Sequence, residues 1–127
     1  MKVLSIVISM FLFFSILDAA AFQKEIKSRD TKVYITSQKQ LGTGSNTLIL
    51  DIKKNEKAVS DAKVSVKVFM PAMPGMPAMK SITDAQDLGN GKYKAKINLS
   101  MGGTWQVHIF ITPSVGKKIR VKTSVNI

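Results

Sequence analysis

The sequence predicts an all-β protein: an immunoglobulin-like antiparallel β-sandwich of about seven strands, set behind an N-terminal signal peptide. Three observations carry that prediction. From residue 31 onward apolar residues recur at every second position, and no convincing helical spacing competes with them. The alternating runs are short and are divided at regular intervals by glycine, proline, asparagine and serine. With 127 residues the chain has room for one small domain. It contains no cysteine, so that domain rests on its packed core and not on disulfides.

In order along the chain, Lys2 makes a short basic start. Val3 to Leu17 is apolar apart from Ser5, Ser9 and Ser15, and Ala19-Ala20-Ala21 supplies small residues for cleavage. Residues 1–21 therefore read as a signal peptide cut between Ala21 and Phe22. The apolar run is shorter than the roughly 20 residues of a membrane span, though uncleaved it would act as an anchor. A periplasmic or otherwise extracytoplasmic domain is expected, without a lipoprotein anchor, since no cysteine follows the run. Residues 22–30 are polar and charged and read as a mobile lead-in to a domain spanning 31–127.

Within that domain, residues 31–38 alternate through Val33 and Ile35, and residues 40–46 with Gly42, Gly44 and Ser45 form a loop. Residues 47–53 set Leu48, Leu50 and Ile52 on one face; residues 63–69 do the same with Val64, Val66 and Val68. A weak strand carrying Ile82 is expected over residues 80–87. Asn90-Gly91 is a hairpin signal joining it to residues 92–99, which bury Tyr93, Ala95, Ile97 and Leu99. Beyond Ser100-Met101-Gly102-Gly103 come Trp105, Val107, Ile109 and Ile111, and the last strand runs through Ile119, Val121, Val125 and Ile127. Trp105 is the large central filler, and its indole N–H needs a partner.

One stretch departs from this grammar. Met70-Pro71-Ala72-Met73-Pro74-Gly75-Met76-Pro77-Ala78-Met79 holds four of the seven methionines at a spacing of three, with three of the four prolines between them. Proline bars the segment from a helix interior or a central strand. Thioethers are soft, neutral ligands that select Cu(I), with Ag(I) as a surrogate. On a polyproline rod such methionines would stand about 9 Å apart. Met73-Pro74-Gly75-Met76, however, fits a type II turn that draws its ends within about 7 Å. Met73 and Met76 are thus the leading pair, with Met70, Met79 or Met101 as a third ligand. Met101 qualifies because, in an immunoglobulin-like order, the loop between the third and fourth strands shares an end with that between the fifth and sixth. The same methionines also suit a polarizable contact surface for a protein partner, or a set of oxidation-sensitive side chains.

Other chemistry has little support. One histidine excludes a multi-histidine zinc or copper site within the chain. His108 alternates with the apolar residues of its strand and faces outward beside Phe110, so it is a poor fourth ligand. Asp84 and Asp87 point to opposite faces, and no nucleophile–base pair or phosphate loop is present, so no enzyme is expected. The net charge of +11 does not indicate nucleic acid in an exported chain. It reads chiefly as the wet face of strands such as Lys92-Tyr93-Lys94-Ala95-Lys96-Ile97, with contact to an anionic membrane surface or an acidic partner as the lesser reading.

The Met-Pro loop, Gly91-Lys92-Tyr93 opening a strand, and Leu99-Ser100-Met101-Gly102-Gly103-Thr104-Trp105 together resemble the YtkA-like domain, a relative of the FixH family, over residues 42–127. The resemblance implies an extracytoplasmic immunoglobulin-like domain found near copper handling or oxidase assembly; similar segments are fused to periplasmic adaptors of heavy-metal efflux pumps. FixH proteins keep a membrane anchor, and here there is only a signal-like segment. Two function classes follow. One is a Cu(I)-binding domain of metal homeostasis that passes its ion to a transporter, efflux or oxidase-assembly component. The other is a non-metal sandwich that docks such a partner through the methionine loop.

Overall fold

The computed structural model describes residues 21–127, so the expected signal peptide, residues 1–21, lies almost wholly outside the described residues. Ten strands follow in order: β1 (Phe22–Ser28), β2 (Thr31–Ser37), β3 (Gly44–Lys54), β4 (Lys57–Ala58), β5 (Lys63–Met70), β6 (Met79–Asp84), β7 (Gln86–Gly89), β8 (Lys92–Leu99), β9 (Thr104–Thr112) and β10 (Ile119–Asn126). One antiparallel sheet has the order β1-β2-β3-β8-β7, with the short β4 also paired to β3; the second has the order β10-β9-β5-β6. With β1 and β4 set aside, this is the two-sheet strand order of an immunoglobulin-type sandwich.

Period two explains the layers. Val33, Ile35, Leu48, Leu50, Ile52, Tyr93, Ala95, Ile97 and Leu99 are buried from one sheet. Val64, Val66, Val68, Trp105, Val107, Ile109 and Ile111 meet them from the other. Each valine, leucine or isoleucine among them contributes about 1.5–3 kcal/mol on removal from water, before conformational entropy is counted. The core's two polar aromatic tips are satisfied. Trp105 Nε1 donates to the Met101 carbonyl at 3.0 Å. The Tyr93 hydroxyl donates to the Val59 carbonyl at 2.7 Å and accepts the Ala62 N–H at 3.1 Å, which pins the connection from β4 to β5.

The strand count exceeds the expected seven for identifiable reasons. Residues 22–30, expected as a lead-in, instead form β1 and its turn, with Ser28 paired to Thr31 across Arg29-Asp30. Its inward positions are Phe22, Lys24 and Ile26, and the lysine in the middle of that row hides the alternation. Lys24 Nζ is held by the Ser124 carbonyl at 2.8 Å, tying β1 to β10 across the open side of the sandwich. The weak strand expected over residues 80–87 is two strands. β6 pairs with β5, the chain crosses at Ala85, whose N–H donates to the Val64 carbonyl at 2.8 Å, and β7 joins β8 in the other sheet. The Asn90-Gly91 turn joins β7 to β8 as the dipeptide predicts, with both residues at positive φ.

Candidate functional site

The methionine stretch is the hairpin between β5 and β6, and its register explains the period of three. Met70 faces Met79 at the end of the paired strands, and Met73 faces Met76 near the tip. One register runs through the whole hairpin, so the repeat is the symmetry of a chain folded about Pro74-Gly75. Gly75 has φ +82°, the conformation required at the third position of a type II turn. Met76 N–H donates to the Met73 carbonyl at 2.8 Å, and Met73 N–H returns a bond to the Met76 carbonyl at 3.0 Å. Directly opposed residues of such a pair hold their Cβ atoms about 5 Å apart, on one face. Met73 is 49% exposed and Met76 is half-buried.

The remaining methionines sit differently. Met70 continues the buried row Val64, Val66, Val68 and is only 3% exposed. Its Cε lies against Gly103, where a Cβ would approach it to 2.9 Å. Met79 is partly buried, and its sulfur accepts a hydrogen bond from Ser100 Oγ at 3.1 Å. Met101 is partly buried against the core and supplies the carbonyl that holds Trp105. The loop between β5 and β6 therefore does share an end with that between β8 and β9. The two loops touch through Met79–Ser100 and Met70–Gly103.

The five methionines form two groups. Met70, Met79 and Met101 belong to the base of the hairpin, on or beside the core. Met73 and Met76 stand at the tip, three residues further on, an extended rise of about 10 Å. Beside the base lies a shallow depression of about 430 Å³ whose lining includes Met79, Lys80, Asn98, Ser100 and Trp105, so one cation borders it. The hairpin carries no charged residue from Met70 to Met79, so its donors are neutral sulfurs and backbone carbonyls.

Ser100 was not singled out by the sequence reading; its one signal is its place beside Met101 at the end of a strand. Met70 could have been recognised as core from the parity of Val64, Val66 and Val68. His108 faces outward as expected, its ring edge-on to Phe69 with centroids 4.9 Å apart and 6.3 Å from that of Phe110. Partial burial pushes its pKa below the usual 6.5, and the neighbouring Lys122, Arg120 and Lys67 push in the same direction. Asp84 ends β6 and Asp87 lies in β7, in different sheets. Among the described residues, no group of three or more histidine, aspartate or glutamate side chains is placed to hold a metal ion.

No curated protein and no solved structure matches the chain. The family model described as YtkA-like matches residues 25–110, from within β1 to the later part of β9, and so takes in the methionine hairpin, the Gly102-Gly103 turn and Trp105. That match starts earlier than the resemblance over residues 42–127, taking in the second half of β1, and ends earlier, at Phe110, so that β10 lies outside it. With well over half of its 127 residues inside that match, the chain belongs to the YtkA-like family.

Proposed function

We propose that this is an exported Cu(I)-handling domain that holds the ion at the tip of the methionine hairpin and passes it to a partner. The observation that carries the reading is the reciprocal backbone pairing of Met73 and Met76 across Pro74-Gly75, at 2.8 and 3.0 Å. Two thioethers on one face of a rigid turn are a preorganised soft donor pair, and soft sulfur donors favour Cu(I) and Ag(I) over hard ions. The pair is exposed enough for a partner's ligand to complete the shell and remove the ion, which suits transfer to a transporter, efflux or oxidase-assembly component. Met79 and Met101 are the other partly exposed thioethers at that end, but they sit at the base about 10 Å from the pair, so the third donor is better supplied by the partner. Met70 would have to leave the core to join them.

Anaerobic titration of Cu(I), with Ag(I) in parallel, should saturate the wild type and fail with the Met73→Leu, Met76→Leu double variant. Methionine methyl resonances of residues 73 and 76 should shift first. Equal and negligible binding by both proteins would overturn the metal reading.

A second reading has its own observation. Pro71, Pro74 and Pro77 are all exposed on the same hairpin as the half-exposed Met73. Such a tip is a stiff apolar probe that would dock into a groove of an envelope protein without any metal. Methionine methyl shifts on adding a partner but not on adding Cu(I) would select it.

A further inference from the structure

The outer face of the β10-β9-β5-β6 sheet carries a distinct surface. Alternation turns its polar and charged residues outward, and the register sets them in rows. One row runs Lys122, His108, Lys67, Ile82; the next runs Arg120, Phe110, Ser65, Asp84; in a third, Lys80 lies beside Phe69. Lys118 reaches back from the connection before β10, its Nζ 5.2 Å from the Phe110 ring centre. Lys67 Nζ stands 5.0 Å from the ring centre of Phe69. Ile82 is 60% exposed.

Two features separate this face from the lysine-rich outer face of the other sheet. Among the described residues, Asp84 is its one carboxylate. On the other sheet Glu25 and Asp51 interleave with the lysines, and Lys32 pairs with Glu25 at 3.7 Å. The uncompensated charge registers in His108, whose pKa is held below the usual 6.5 by burial first and then by Lys122, Arg120 and Lys67. The second feature is apolar: Phe69, Phe110 and Ile82 lie among the cations, with a lysine over each ring.

We propose that this face docks on an anionic phospholipid bilayer. The sheet is an open field about 15 Å across its four strands, and it meets anionic headgroups that lie in one plane. Its lysines reach the phosphates while the phenylalanines and Ile82 enter the interfacial layer, which accepts apolar groups together with cations. An acidic protein surface would match the charge alone, and a second copy of this face would set cation against cation. β5 and β6 continue into the methionine hairpin, so docking lays Met73 and Met76 along the membrane surface. The docking does not rest on any metal at that pair.

The probe is vesicles of phosphatidylglycerol in phosphatidylcholine, sedimented with residues 22–127, which hold all ten strands and the core. The wild type should bind them, release as salt rises, and ignore phosphatidylcholine alone. Arg120→Gln with Lys122→Gln, both exposed on β10, should lower the partition coefficient by about tenfold or more, the scale of two cations lost from an anionic surface. Lys94→Gln with Lys96→Gln takes the same charge from the opposite face, beyond a Debye length, and should stay within about threefold of wild type. The chain has no cysteine, so a fluorophore on Ile82→Cys, or on Thr47→Cys in the other sheet's outer face, reports contact at one position. Emission should shift to the blue on vesicles with the first label and not with the second. Equal losses in the two charge pairs, or equal shifts from the two labels, would reduce the effect to net charge and overturn the proposal. So would binding to polyglutamate with none to the vesicles.

Discussion

Met73 and Met76 exchange both backbone hydrogen bonds across Pro74-Gly75, at 2.8 and 3.0 Å, so their side chains leave the hairpin tip as a facing pair. The pairing depends on Gly75 at φ +82°. An L-residue there is disfavoured by about 1–2 kcal/mol. Gly75→Ala should therefore loosen the tip, lower Cu(I) affinity, and leave the unfolding midpoint of the sandwich nearly unchanged. Competition against a Cu(I) chelator beside a urea melt checks both halves. A melt that collapses with the tip would mean that the hairpin is part of the cooperative core.

Met70 and Met73 should separate cleanly in stability. Met70 fills core space at 3% exposure, so Met70→Ala should lose about 2–5 kcal/mol, the range for deleting a buried side chain. Met73→Ala, at a half-exposed tip, should stay within about 0.5 kcal/mol of wild type. Urea unfolding of the two variants makes the comparison directly.

Gly103 is bound to that same core residue. It holds φ +133°, and an added Cβ would stand 2.9 Å from Met70 Cε. Gly103→Ala should destabilise the fold, and pairing it with Met70→Leu, which removes the colliding methyl, should recover part of the loss. A double-mutant cycle should then give a favourable coupling of about 0.5 kcal/mol or more. Strict additivity would assign the whole effect to the backbone conformation.

What could be read in the chain follows how local the physics is. Alternation within a strand and the Pro-Gly and Asn-Gly turns depend on a few adjacent residues, and the sandwich, its core and the type II turn were legible for that reason. β1 was not, because Lys24 takes an inward position between Phe22 and Ile26 and is satisfied by Ser124, 100 residues away. The crossing at Ala85 was hidden too, since a strand that changes sheets keeps its alternation while changing partners. The Pro-Gly turn singled out Met73 and Met76, but the spacing left Met70 and Met79 as equal candidates for a third ligand. What separates Met70 is where the β5–β6 ladder ends, with Met70 inside and Met73 beyond it.

Tyr93 offers a test of the core's polar accounting. Its buried hydroxyl serves both the Val59 carbonyl and the Ala62 N–H. Tyr93→Phe keeps the ring but strands those two groups, a loss of about 1–3 kcal/mol. Hydrogen exchange should quicken first at Ala62, at the entry to β5, before the centre of the sheet responds. Burial also raises the phenol's pKa, so in an alkaline spectrophotometric titration Tyr93 should stay protonated beyond the ordinary phenol range.

His108 gives the fold a pH dependence whose sign is determined by its neighbours. Partial burial, with Lys122, Arg120 and Lys67 around it, holds its pKa in the folded chain below the usual 6.5. Lys67 and Lys122 are its direct cross-strand partners, while Phe69 and Phe110 flank the ring. The unfolded chain therefore takes up the proton first as pH falls. Stability should be fully present above about 6.5, decline as pH drops toward the folded pKa, and level off below it where both states are protonated. His108→Gln removes the titrating group and should flatten that slope below about pH 6.5, while the titration of carboxylates persists. Replacing Lys67 and Lys122 by glutamine should shift the folded pKa back toward the ordinary value and shrink the slope without abolishing it, because the largest cause is burial. Urea melts across that pH range measure all of it, and a slope that survives His108→Gln would assign the dependence to another group.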